Sequence, residues 1–250
     1  MKIVVKIGSA VLVDQKDSRI NKEILIDIVS QIKKLKRRGH SVVIVTSGAV
    51  ASCGNKKYSR ALKAIVGQPR LMSLYIDFFE SYKIEVGQLL FTHEDLEGER
   101  CGYTKELLNE VMESGVIPIV NANDAVSGEE LDALKQYADN DILAERVASM
   151  IGADIVFILT NENGLMDFKN RKVVRVVEDQ EGFYKARFLV ENRKSSVGRG
   201  GMMSKVKVAE NLCMVHGIEV RLLPGSQEDA ILDSLSGKKI GTIFKAKKRP

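Results

Sequence analysis

"KIVVKIGS" occupies residues 2–9, and its reading decides the fold. The first six residues are a short apolar run rich in valine and isoleucine, which reads as a buried strand. A polar break at Gly8 and Ser9 follows at once. The same sentence is written again and again along the chain. "HSVVIVTSG" (40–48) ends in Ser47 and Gly48, and "VIPIVNAND" (116–124) ends in Asn121, Asn123 and Asp124. "DIVFILT" (154–160), the most hydrophobic of these runs, ends in Thr160 with Asn161 beyond it. Further strands are expected at 84–91, 171–177, 218–223 and 241–244. Helical spacing fills the intervals. Ile24, Ile28, Ile32 and Leu35 share one face of Asn21–Arg38, lysines and arginines lie on the other, and Gly39 suits the stop. Helices are also expected over about 59–82, Thr104–Ser114, 141–153 and about 201–216. Strands alternating with helices indicate an α/β fold with a mainly parallel sheet covered on both faces. No internal repeat or strong linker interrupts it, so one continuous sheet is expected. Ligands in such folds sit at the carboxyl ends of the strands, where the polar clusters of this sequence fall.

Composition narrows the class. The chain has 250 residues, 44% of them hydrophobic, only four prolines and a net charge of +5. Long disordered linkers are not expected. The basic excess sits mainly in "KKLKRR" (33–38) and "KAKKRP" (245–250). These read as a solvated helix face and a frayed end, and no nucleic-acid module accompanies them. Cys53, Cys101 and Cys213 are odd in number and far apart, as are His40, His93 and His216. Free thiols in a reducing cytoplasm are expected, and a metal site is not. No run is long enough for a signal peptide or a membrane span.

Five segments carry chemistry. Lys6 interrupts an apolar strand. A lysine there is costly to bury unless paired, and Gly8 and Ser9 beside it can bring backbone N–H groups to an anion; an end-of-strand lysine can also snorkel to water. "TSGAV" (46–50) is a strand-to-helix turn able to present backbone donors to an anion, or simply an N-cap by Ser47. It is not a nucleophile elbow. "NANDAV" (121–126) and "ADNDILA" (138–144) supply Asp124, Asp139, Asn140 and Asp141. Such a cluster can bind an amino group, orient lysines or hold a hydrated magnesium, and it can equally cap helices. "GRGGMMSK" (198–205) is neither a Walker A loop nor a dinucleotide fingerprint. Gly200 and Gly201 at a helix start, with Lys205 one turn in, make an anion nest.

The order and spacing of these segments carry a resemblance. "VVKIGSAVL", "GHSVVIVTSGAVA", "VGQPRL", "GQLLFTHEDL", "GVIPIVNANDAV", "DND" and "GRGGMMSK" occur in the order seen in the amino acid kinase superfamily, which this chain resembles over essentially its whole length. "TSGAVA", "VGQ" and "NxNDAV" are similar to the branch that acts on glutamate. The resemblance implies one domain, a three-layer α/β/α sandwich around about eight strands. Residues 1–150 would bind the amino acid and 151–250 ATP. It implies transfer of the γ-phosphoryl group of ATP to the side-chain carboxylate of L-glutamate, opening proline biosynthesis, with Mg2+ held mainly by ATP oxygens. Lys6 and Lys205 match the family's catalytic lysines and Asp141 the aspartate that organises them. Ser47, Asp124 and Asn140 match its glutamate positions. Gly8, Ser9, Thr160, Asn161 and the loop Arg199, Gly200, Gly201, Met202, Met203, Ser204 and Lys205 match its nucleotide positions. The resemblance further implies feedback by proline, a functional partner in glutamyl phosphate reductase, and a homodimer or homotetramer.

The chain departs from the pattern in places. The family usually has an aspartate at Asn161 and a threonine at Arg199. "CGYTKELL" (101–108) replaces a Tyr-x-Asn-Ala pattern, and "SGEELDALKQYA" (127–138) is longer than usual. The chain stops soon after "GTIFKAKK", where many relatives continue into a PUA domain. Two rivals stay open: a homologue acting on another anionic substrate, and a non-catalytic ligand sensor.

Overall fold

A computed structural model describes residues 1–14, 19–126, 140–191 and 201–247. In chain order, the first half runs β1 (Lys2–Ile7), α1 (Ser9–Leu12), α2 (Lys22–Arg37), β2 (Ser41–Thr46), α3 (Ala49–Ser52), α4 (Arg60–Glu80), β3 (Val86–Phe91), α5 (His93–Leu96), α6 (Arg100–Glu113) and β4 (Ile117–Ala122). The second half runs α7 (Asn140–Ile151), β5 (Ile155–Thr160), β6 (Met166–Asp167), β7 (Lys172–Val173), β8 (Val176–Val177), α8 (Asp179–Glu191), α9 (Met202–Asn211), β9 (Glu219–Pro224), α10 (Ala230–Leu235) and β10 (Thr242–Phe244).

Eight strands form one sheet in the order β3-β4-β2-β1-β5-β9-β10-β8. Every neighbouring pair is parallel except β9 and β10. The chain leaves β1 toward β2 on one side, and later returns to place β5 on its other side. That reversal opens a crevice at the carboxyl ends of β1 and β5, where parallel sheets bind ligands.

Alternation along β1 sorts the two layers. Ile3, Val5 and Ile7 join a core with Val42, Ile44 and Phe157, covered by α2 through Ile28, Ile32 and Leu35 and by α4 through Leu71, Tyr75 and Phe79. Val4 points the other way, into a core with Val43, Val45, Val156 and Ile158. That face is covered by α7 through Leu143, Ala144 and Val147 and by α9 through Val206 and Ala209. Lys6 has the parity of Val4, so its side chain leaves the sheet beneath α7 and α9.

Two expectations are corrected. The run 171–177 is not one strand. Lys172–Val173 pairs with β6 in a separate two-stranded ribbon, and Val176–Val177 forms the edge of the main sheet beside β10. Strand propensity reads the residue types but not a change of partner between them. The helix expected over 201–216 ends as an α-helix at Asn211 and continues as one π-helical turn, Leu212–His216. Within that turn Cys213 donates its S–H to the Phe244 carbonyl. Helix α8 was not expected. It buries Phe183 and Ala186 but exposes Tyr184 and Phe188, so apolar residues on opposite faces blur its period.

One close approach fixes the turn after β2. Gly48 caps α3 with φ +103°, in the left-handed region that glycine adopts without strain. The α4 backbone then packs against α3 so closely that a Cβ on Gly67 would lie 1.8 Å from the Ala49 carbonyl oxygen. Alanine usually favours a helix interior over glycine. Here Gly67→Ala is expected instead to destabilise the fold by about 1–3 kcal/mol or more, as overpacking does. Urea unfolding checks this, and an unchanged or raised midpoint would mean that α3 and α4 do not approach in this way.

Candidate active site

Three charged side chains meet at the crevice. Asp141 stands in the first turn of α7 and is fully buried, Lys6 is 4% exposed and Lys205, in the first turn of α9, is 8% exposed. Asp141 pairs through Oδ1 with the Lys6 ammonium and through Oδ2 with Lys205 Nζ at 2.9 Å. Burial alone would push the Asp141 carboxyl up; the two lysine charges and their hydrogen bonds outweigh it and hold the carboxyl below the usual carboxylate range. These three groups together carry one surplus positive charge in a poorly solvated place. An anion brought there gains attraction that bulk water would largely screen.

Gly8 keeps the space beside Lys6 open. A Cβ on Gly8 would lie 3.5 Å from Lys6 Nζ and 3.5 Å from the Leu159 carbonyl oxygen at the end of β5. Gly8 is the N-cap of α1 and Ser9 its first residue, with no side-chain cap there. The backbone donors of that turn therefore face the same region.

A neutral amide network occupies the side of β2 and β4. Asn140 Nδ2 lies 3.0 Å from the Thr46 carbonyl, 2.7 Å from Ser47 Oγ and 3.2 Å from Asn121 Oδ1, so its two hydrogens serve three acceptors. Asn140 Oδ1 is buried with no partner among the described residues. Asn121 in turn donates to Gln68 Oε1 at 2.9 Å. Beneath them Thr46 Oγ1 and the fully buried Tyr75 hydroxyl share a hydrogen bond of 2.8 Å, and burial pushes the phenol up. Asp124, just past β4, accepts from Arg60 Nη2 at 2.8 Å.

On the other side Thr160 ends β5. Its hydroxyl lies 3.4 Å from Asn161 Oδ1 and accepts from the Glu162 N–H at 3.4 Å. Thr160 is buried and Asn161 exposed. Gly201 caps α9 with no side-chain cap, and Met202, Met203 and Ser204 are half-buried in the first turn. Arg199, Gly200, Asp139 and the loop 127–138 lie outside the described residues.

Of the residues expected from sequence, Lys6, Asp141 and Lys205 are in direct contact, as are Ser47 and Asn140. Thr160 and Asn161 stand at the carboxyl end of β5, and Met202, Met203 and Ser204 in the first turn of α9. Sequence reading gave no role to Gln68, although it stands inside the quoted "VGQPRL", and none to Arg60. Gln68 carries a signal in hindsight: it follows Gly67, which the close packing of α4 requires. Among the described residues no three His, Cys, Asp or Glu side chains gather as a metal site, and no helix is long and apolar enough to cross a membrane.

The profile of the amino acid kinase family matches residues 1–224, and the chain belongs to that family. It is 34% identical to the glutamate 5-kinase of Enterobacter sp. (strain 638), over 99% of this chain and 70% of that protein. The glutamate 5-kinases of Yersinia enterocolitica (serotype O:8 / biotype 1B) and Escherichia coli (strain K12 / DH10B) are similar at the same identity and coverage.

Removing the carboxylate should be costly. Asp141→Asn leaves two buried ammonium groups facing each other and is expected to destabilise by about 3–5 kcal/mol, as broken buried pairs do. The pH dependence follows from the depressed pKa. Asp141 contributes its stabilisation above the unfolded value of 3.8 and loses it as pH falls through the lower folded value. Denaturant midpoints taken across that acid range should therefore fall more steeply for the native sequence than for Asp141→Asn. Parallel curves would mean that Asp141 is not held ionised by the lysines.

Proposed function

We propose that this chain catalyses ATP-dependent phosphorylation of the side-chain carboxylate of L-glutamate, giving L-glutamyl 5-phosphate, the first step of proline biosynthesis. The observation that carries the reading is the Lys6–Asp141–Lys205 cluster with its surplus positive charge. A side-chain carboxylate oxygen attacks the γ-phosphorus of ATP, a new P–O bond forms, the bond to the β–γ bridging oxygen breaks, and ADP leaves. The acceptor is already ionised, so no proton need be removed. The obstacle is the approach of two anions, and phosphoryl transfer is governed by alignment and charge neutralisation. Two lysines held from opposite sides by one aspartate supply fixed charge with no reorganisation at the moment of transfer.

Residues 1–150 hold the amino acid and 151–250 ATP in this reading. Ser47, Asp124 and Asn140 take the amino acid; Gly8, Ser9, Thr160, Asn161 and the loop Arg199, Gly200, Gly201, Met202, Met203, Ser204 and Lys205 take the nucleotide. Both Asp141 oxygens are engaged by lysines, and Mg2+ would be held mainly by the oxygens of ATP, supplying charge neutralisation there. The acyl phosphate product is reactive and needs prompt reduction. In this reading glutamyl phosphate reductase is the functional partner, and the family resemblance adds proline as the feedback ligand, a cytoplasmic setting and a homodimer or homotetramer.

Trapping the acyl phosphate with hydroxylamine tests the reading. Hydroxamate should form only with both ATP and glutamate present; turnover with another acid alone would reject glutamate as substrate. Lys6→Ala and Lys205→Ala are each expected to lower kcat by roughly 10²-fold or more, the scale of losing one preorganised charge. A variant with near-normal kcat would remove that lysine from the catalytic group. Asp124→Ala should raise the KM for glutamate and spare that for ATP, and an equal rise in both would reject its place at the amino acid.

A further inference from the structure

Arg60 opens α4, and its Nη2 donates to Asp124 Oδ1 at 2.8 Å across 64 residues of sequence. The two side chains are 39% and 16% exposed. An ion pair this open to solvent contributes little to stability, so its position is the feature that calls for a reason. Asp124 lies three residues beyond Asn121, which bonds both Asn140 and, through Gln68, the same helix α4. Helix α4 is thus tied to the end of β4 at two points, once by a neutral amide and once by charge. Among the described residues the pair uses only one Arg60 nitrogen and one Asp124 oxygen. Nε and Nη1 of the guanidinium and Oδ2 of the carboxylate remain for a ligand.

We propose that Arg60 and Asp124 together read the zwitterionic end of the amino acid, Asp124 taking the α-ammonium and Arg60 the α-carboxylate. The inference rests on the function proposed above. An α-amino acid carries its two opposite charges on one carbon, and an adjacent carboxylate and guanidinium present the complementary pair. Each holds the other aimed before substrate arrives, so binding requires little reorientation. The planar guanidinium fork suits a carboxylate better than an ammonium does.

Arg60 also addresses a problem particular to this substrate. Glutamate has two carboxylates, and the lysine cluster attracts either. A second cation at the far end of the site engages the α-carboxylate and leaves the side-chain carboxylate to the lysines. Arg60 is therefore a specificity residue that touches the part of the substrate that does not react.

Two analogues separate the charges. Glutarate keeps both carboxylates and lacks the ammonium; 4-aminobutyrate keeps the ammonium and lacks the α-carboxylate. With the full chain, steady-state ADP release would be measured for glutamate, with each analogue as an inhibitor. Arg60→Met is expected to raise the glutamate KM about 10-fold or more, as when a charge-assisted contact is lost, leaving the ATP KM unchanged. It should weaken glutarate inhibition and spare that by 4-aminobutyrate. Asp124→Asn should do the reverse, and Arg60→Lys should recover part of the glutamate KM. A wild-type glutamate KM in Arg60→Met overturns the proposal. So does a pattern in which both variants weaken both analogues alike, the result expected of a purely structural pair. If the wild-type chain forms no hydroxamate with glutamate, the proposed function fails first; if it does and Arg60→Met behaves as wild type, only this inference fails.

Discussion

Asp141 is bonded to two ammonium groups at once, and much of the molecule is arranged so that this can happen. A lysine in a central parallel strand, with neighbours on both sides, is almost wholly removed from bulk water. Lys6 is tolerated because a carboxylate comes down onto it from α7. That fixes the height of α7 above the sheet. Lys205 on the second oxygen fixes α9 beside it. A buried ionic group of this kind is weak evidence for stability, because well-packed apolar residues of the same volume do as well or better. The same cavity filled with leucine would hold the layers together equally well. What leucine cannot do is present a surplus positive charge at the end of β1.

The sheet topology decides where that charge stands. Because the chain reverses direction of growth at β1, segments from both halves of the sequence end at one crevice. Ser47, Asn121 and Asn140 gather on the β2 and β4 side, while Thr160 ends β5 and Gly201 opens α9 in the second half. Lys6 belongs to the strand between them. A ligand reaching in from either side therefore meets the same three charged groups. The short helices α1 and α3 begin at Gly8 and Gly48 without side-chain caps, which adds backbone donors to the same edge.

The central strands were readable in the sequence because they are buried on both faces. "KIVVKI" and "DIVFILT" carry no alternation to confuse, and each is closed by a polar break. Helix α2 was readable from Ile28, Ile32 and Leu35, and its cap Asn21 accepts from the Ile24 N–H as its position suggests. Where the reading fell short, the missing information was not local. The split of 171–177 depends on which strand each half meets. Helices α1, α3 and α5 have four residues each, too few for a period to show. The charged triad was legible as three anomalies: a lysine inside a strand, an aspartate at a helix start and a lysine after glycines. That one carboxylate binds both lysines was legible only through the family resemblance. Gln68 and Arg60 were not singled out, since a polar residue on a helix gives no sign of which strand end it faces.

The neutrality of the amide network has its own logic. Asn140 and Asp141 are consecutive, yet one is charged and the other is not. The first turn of α7 sends Asp141 toward Lys6 and Asn140 toward the ends of β2 and β4. A second aspartate at position 140 would sit near the same lysines and cancel the surplus charge that makes the crevice attractive to anions. An amide keeps the same shape and supplies two donors, which hold the Thr46 carbonyl and Ser47 in place. Its oxygen, without a partner among the described residues, is a neutral acceptor. Positive charge is thus concentrated on the lysines, while orientation is left to groups that carry none. Separating the two tasks lets the site hold an anion strongly at one end without disturbing the polar frame that positions it.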